Sequence, residues 1–129
     1  MQYYLKLKKV LSLGKTKLNK KHKPVLDSFL LENPLVQPGK MYGHPAYYVE
    51  GKLFASLFDD GVCVKIPESR VKELLQLDHV IAFEPMGRKM REWILIIRKN
   101  SDDYLKDREI FEESIDYVFS LTQQSNQKK

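Results

Sequence analysis

The chain has 129 residues, 43% hydrophobic and 30% charged, proportions that suit one compact domain and leave little room for two. Its net charge of +5 is unevenly held, because residues 1–23 carry eight lysines and no acid, leaving 14 cations against 17 acids in the rest. No apolar run approaches the ~20 residues that cross a bilayer, lysines at 6, 8 and 9 break the apolar core that a secretory signal needs, and a lone Cys63 forms no internal disulfide, so a cytoplasmic location is expected.

The basic head has two readings. Tyr3, Leu7, Val10 and Leu11 fall on one face of a helix, while residues 5–8 alternate like a strand. Gly14 ends either element, and a polar tether that includes His22 follows. Pro24 suits the first turn of a helix, where its missing N–H does no harm. Val25, Leu26, Phe29 and Leu30 give that helix an apolar face, and Asn33-Pro34 with Pro38-Gly39 reads as a loop.

The middle of the chain predicts three antiparallel strands over 46–49, 52–58 and 62–66, joined by turns at Glu50-Gly51 and Asp60-Gly61. Val62, Val64 and Ile66 share one face, and Cys63 and Lys65 the other. After Pro67 a short helix turns Val71, Leu74 and Leu75 inward and Arg70, Lys72 and Glu73 to water. Residues 93–97 are apolar without alternation, the pattern of a strand buried on both faces. Ser101, with Asp102 and Asp103, caps a last helix that points Tyr104, Leu105, Phe111, Ile115, Val118 and Phe119 at the sheet. The expected organisation is a basic arm over 1–23, an α+β domain over 24–122 and a disordered tail over 123–129. The expected fold is α+β: a three-strand meander with one or two later strands, helices packed on one side.

Met41-Tyr42-Gly43, then Gly51-Lys52-Leu53-Phe54, Asp60-Gly61, Pro85-Met86-Gly87-Arg88 and Trp93 follow one another in an order that resembles the N-terminal domain of the TfoX/Sxy family. The likeness covers roughly residues 24–122 as a pattern. It implies an α+β domain of the secretion-chaperone-like type and a bacterial regulatory role, since members of the family are linked to control of DNA-uptake competence. Tyr42 stands where the family commonly has Phe, which adds a hydroxyl. The chain has no room for the helical C-terminal domain of the full-length regulators, and the lysine-rich head is outside the family pattern. Fold likeness alone does not carry function.

Catalytic and metal motifs are scarce. His22, His44 and His79 are the three histidines. His44 and Cys63 are a conceivable pair across the meander, but a loop histidine and a small strand residue account for both. Cys-x-x-Cys, His-x-x-x-His and phosphate-loop spacings are absent. Asp59-Asp60 and Asp102-Asp103 are explained by a turn and a helix start. No cofactor and no metal is expected.

Two stretches remain as candidates. In residues 85–91, Pro85 and Gly87 have turn chemistry. Met86 and Met90 either fill gaps in the core or line a shallow pocket ringed by Arg88, Lys89 and Arg91, where an acidic ligand or partner segment would bind. His44, Met86, Arg88, Lys89, Arg91 and Trp93 form that candidate site. The second is the arm: Lys6, Lys8, Lys9, Lys15, Lys17, Lys20, Lys21 and Lys23 either solubilise the chain or bind nucleic-acid phosphates or an anionic membrane, sequence-blind because no arginine is present for bidentate base recognition. The expected function is a small non-enzymatic binding or regulatory domain that acts through a protein partner or as a homodimer.

Overall fold

A computed structural model describes residues 18–127. The chain is α+β. Helix α1 spans His22–Leu30, and strands β1 (Val36–Met41), β2 (His44–Val49), β3 (Lys52–Phe58) and β4 (Gly61–Lys65) follow as a continuous meander. Helix α2 (Glu68–Leu74), strands β5 (Val80–Ala82) and β6 (Trp93–Ile96), a 3-10 helix over Ser101–Asp107 and helix α3 (Arg108–Gln127) complete it. The six strands form one sheet in the order β1-β2-β3-β4-β6-β5, every pair antiparallel.

The expected three-strand meander is present and gains a fourth strand. The Pro38-Gly39 pair, expected in a loop, lies inside β1. That strand is at the edge of the sheet, where a residue without an N–H is tolerated. Gly39 has its own reason: a Cβ there would lie 2.9 Å from the Tyr48 ring, which crosses β1 so that its hydroxyl donates to the Lys40 carbonyl at 2.7 Å. The β1–β2 and β2–β3 turns place Tyr42-Gly43 and Glu50-Gly51 at positive φ in both positions, the geometry of the tight hairpin turn.

The next turn differs from expectation. Phe58 pairs with Gly61, so Asp59-Asp60 is the turn and Asp59 takes the positive φ of 50°. Gly61 is the first residue of β4. A Cβ on it would sit 2.9 Å from the Ile96 carbonyl oxygen of β6. Its missing side chain therefore permits close strand approach rather than a turn.

As expected, residues 93–96 form an interior strand, between β4 and β5, with Ile94, Leu95 and Ile96 almost fully buried. One sheet face contributes Tyr47, Val49, Val62, Val64, Ile94 and Ile96 to the main core. Leu26, Phe29 and Leu30 of α1, Val71 and Leu74 of α2, and Phe111, Ile115 and Val118 of α3 pack on it. Burying such side chains contributes about 1.5–3 kcal/mol each. Cys63, Ile81, Phe83 and Leu95 make a second cluster on the opposite face that includes no helical residue. Aromatic edges close it instead, Phe58 against Phe83 at 5.0 Å and Phe83 against Trp93 at 6.1 Å.

Several local expectations change. Asn100, not Ser101, caps the last helical segment, its side chain accepting from the Asp102 N–H at 3.0 Å. Leu105 is 44% exposed rather than turned to the sheet, because the 3-10 winding of residues 101–107 breaks the 3.6-residue period on which that face was reckoned. Helix α1 begins at His22, so the expected boundary at 23/24 falls inside it, and α3 runs to Gln127, through most of the segment expected to be a disordered tail. Among the described residues no helix is long and apolar enough to cross a membrane.

Candidate functional site

The stretch between β5 and β6 is held by main-chain bonds. Gly87 donates to the Glu84 carbonyl at 3.2 Å, Met90 to Phe83 at 3.0 Å and Trp93 to Met90 at 3.2 Å. Gly87 takes a φ of 76°, which its lack of a Cβ allows. The Glu92 carbonyl, in turn, accepts from the Ile66 N–H at 2.9 Å and ties the end of the loop to the end of β4. This is a fixed loop that presents its side chains outward. Met86 is 88% exposed and Met90 39%, so neither fills the core. The residues are not helical, and their spacing of four does not bring them to one face.

Helix α2 forms the facing wall. It starts after Pro67 (φ −55°, ψ 141°) and buries Val71 and Leu74. Arg70 ties it to α3 through two bonds to Glu113, at 2.7 and 3.1 Å, with Glu73 2.7 Å from the same guanidinium. These carboxylates push the Arg70 pKa up and satisfy its charge. Between α2 and the loop lies a hollow of about 370 Å³, lined by Val71 and Leu75, by Lys72, Lys89 and Arg91, and by one acid, Glu68.

The charge balance of this hollow is the informative feature. Among the described residues, Lys72, Arg88, Lys89 and Arg91 make no ion pair, as is also true of Lys20, Lys21, Lys40, Lys52 and Lys99; Lys72, Lys89 and Arg91 are distinguished by meeting at one hollow. Three cations against the single acid Glu68, over two aliphatic side chains, favour a ligand that is both acidic and apolar. Arg91 supplies a planar fork for a carboxylate, and the lysines supply point charges.

Of the residues expected to form one site, the structure brings Lys89 and Arg91 to the hollow and leaves Met86 and Arg88 exposed on the same loop. Trp93 lies on the sheet face opposite the described helices, its ring 5.8 Å from the Lys65 ammonium. His44 is on β2, separated from β6 by β3 and β4, and its Nδ1 lies 3.2 Å from the Leu57 carbonyl oxygen. It does not join the loop. Cys63 is on β4, with β3 between it and His44, and burial pushes its thiol up to about 12. Residues from α2 were missed because they join the site only through the fold: Lys72 reads in sequence as an ordinary solvated helix lysine.

The arm divides. Lys6, Lys8, Lys9, Lys15 and Lys17 lie outside the described residues. Lys20 and Lys21 are exposed, and Lys23 pairs with Asp27 at 2.7 Å on α1. His22, expected in the tether, is fully buried. Its Nδ1 lies 2.7 Å from Ser101 Oγ, its Nε2 3.0 Å from the Asp60 carbonyl oxygen, and its ring 4.8 Å from that of Tyr104. These partners are 38 and 79 residues away in sequence, which is why local composition did not reveal them.

A second buried polar cluster joins the segments before β5 and after β6 to the end of the 3-10 helix. Asp107, 2% exposed, receives Arg98 at 2.8 and 3.0 Å, and its Oδ1 is 3.1 Å from His79 Nε2. No group of three or more metal-ligating side chains occurs among the described residues. No protein-family model, curated protein or solved structure matches the chain.

Proposed function

We propose that this chain is a small binding domain that recognises an acidic, partly apolar protein segment in the hollow between α2 and the β5–β6 loop. The observation that carries this reading is the set of unpaired cations, Lys72, Lys89 and Arg91, around Val71 and Leu75. The hollow acts by contact rather than by reaction. A fixed loop loses little freedom on binding, which favours affinity at a site of modest size. The resemblance to the TfoX/Sxy N-terminal domain supports a regulatory role, in the cytoplasm and through a protein partner or a second copy.

The test is fluorescence anisotropy of a short labelled amphipathic peptide of leucine and glutamate, titrated with the intact protein and with the Lys72→Glu/Lys89→Glu/Arg91→Glu variant. The reading expects saturable binding that weakens with salt and falls at least about tenfold in the variant, since each close charge pair is worth on the order of 1 kcal/mol or more. Equal affinity for both proteins would refute it. Binding lost only on deletion of residues 1–17 would instead assign anion recognition to the basic arm.

A further inference from the structure

The polar group around His22 lies apart from the cationic hollow and has the geometry of a nucleophile with its base. The Asp60 carbonyl oxygen can only accept, so in the neutral imidazole the proton sits on Nε2, 3.0 Å away. Nδ1 is then an acceptor, and Ser101 Oγ, 2.7 Å from it, is the donor. The imidazole is held on three sides. Tyr104 packs edge-on at 74°. An Asp60 carboxylate oxygen lies 3.5 Å from Nε2. Asn19 Nδ2 fixes that same oxygen at 3.0 Å. His22 itself is fully buried, whereas Ser101 is half-buried and lines a depression of about 570 Å³ edged by the exposed Lys21 and Lys99 and by one exposed acid, Asp102.

We propose that Ser101 is an activated serine, with His22 as its general base, Asp60 and Asn19 as positioning residues, and small anionic esters as the substrate class. The hydroxyl-to-base bond and the bonded, oriented base are two of the geometric requirements for an activated nucleophile. Oγ bonds to the acyl carbon as its proton passes to Nδ1. The carbon–oxygen bond to the leaving group breaks, and the proton on Nδ1 passes to the departing alkoxide. Water repeats the sequence on the acyl-serine to release the acid and restore the hydroxyl. The Asp60 carboxylate offsets the transient imidazolium, and Lys21 with Lys99 draws in the negative charge of the ester. None of this depends on the cationic hollow.

Ser28 and Ser120 provide internal controls. Both are exposed, and their hydroxyls donate to backbone carbonyls, Val25 at 2.6 Å and Tyr117 at 2.7 Å, with no imidazole in reach. The full-length protein is treated with a fluorophosphonate, whose phosphorus takes the serine oxygen as fluoride leaves, and modification at each serine is followed by peptide mass spectrometry. Ser101 is expected to react at least about 100-fold faster than Ser28 or Ser120, the lower end of what a positioned base contributes. The Ser101→Ala variant should also reduce hydrolysis of 4-acetoxybenzoate, an anionic aryl ester, to the uncatalysed rate. Because the rates are compared within one folded protein, no His22 variant is needed. Modification of Ser101 no faster than of the two control serines would overturn the proposal.

Discussion

Replacing His22 by alanine separates a buried histidine from one in a tether. The side chain is fully buried and joins three parts of the fold: α1, the β3–β4 turn and the 3-10 helix. Two neutral hydrogen bonds contribute about 0.5–1.5 kcal/mol each, and the unpaired Asp60 carbonyl adds a desolvation cost. The vacated ring volume against Tyr104 adds a cavity cost, smaller than the ~3–5 kcal/mol of a Phe→Ala change. The expected loss is about 3–4 kcal/mol, a large share of the ~5–15 kcal/mol typical of a domain. Urea unfolding followed by circular dichroism measures it. Lys23→Ala is the control. Its pair with Asp27 is one helical turn apart and its side chain is 52% exposed, so about 0.5 kcal/mol is expected. A His22→Ala loss no larger than the control would refute the burial argument and return residues 18–23 to a tether.

The same geometry sets the outcome of other substitutions and of a change in pH. Asp107→Asn removes the charge opposite Arg98 at a site where the acid is 2% exposed, and should cost about 2–4 kcal/mol in the same assay. Gly61→Ala forces a Cβ to within 2.9 Å of a backbone oxygen on an interior strand and should cost about 1–3 kcal/mol. Gly39→Ala meets only the movable Tyr48 ring at the sheet edge and should cost less than Gly61→Ala. Burial holds the Cys63 thiol up to about 12, from an ordinary value of 9.0. The unfolded chain therefore releases that proton first, and unfolding midpoints should fall as pH rises from about 9 towards 12. Cys63→Ser should show a shallower decline, since serine does not ionise in this range.

How much of this was legible in the sequence depends on whether the decisive neighbour is local. Val62, Val64 and Ile66 alternate, and residues 93–97 do not. Those two patterns placed β4 at a two-sided sheet and β6 in its interior. Strand β1 was hidden because Pro38 and Gly39 read as breakers, and only its edge position and the Tyr48 ring across Gly39 make them acceptable. Asp60-Gly61 carries a strong turn signal, yet Gly61 is required by the backbone of β6, a contact 35 residues away that no local rule contains. The candidate site was half visible. Lys89 and Arg91 stood out beside Met86 and Gly87, but Val71, Lys72 and Leu75 join them only when α2 packs beside the loop. His22, flanked by lysines, gave no sign of its buried partners.

The central claim is that the cations between α2 and the β5–β6 loop form the recognition surface. Amide chemical-shift mapping on the full chain, titrated with the leucine–glutamate peptide, tests it most directly. The account predicts saturating shifts concentrated at residues 68–75 and 85–92, with the sheet residues of β1 and β2 unmoved. Shifts confined to the lysines before residue 24, or scattered over the surface without saturation, would contradict it.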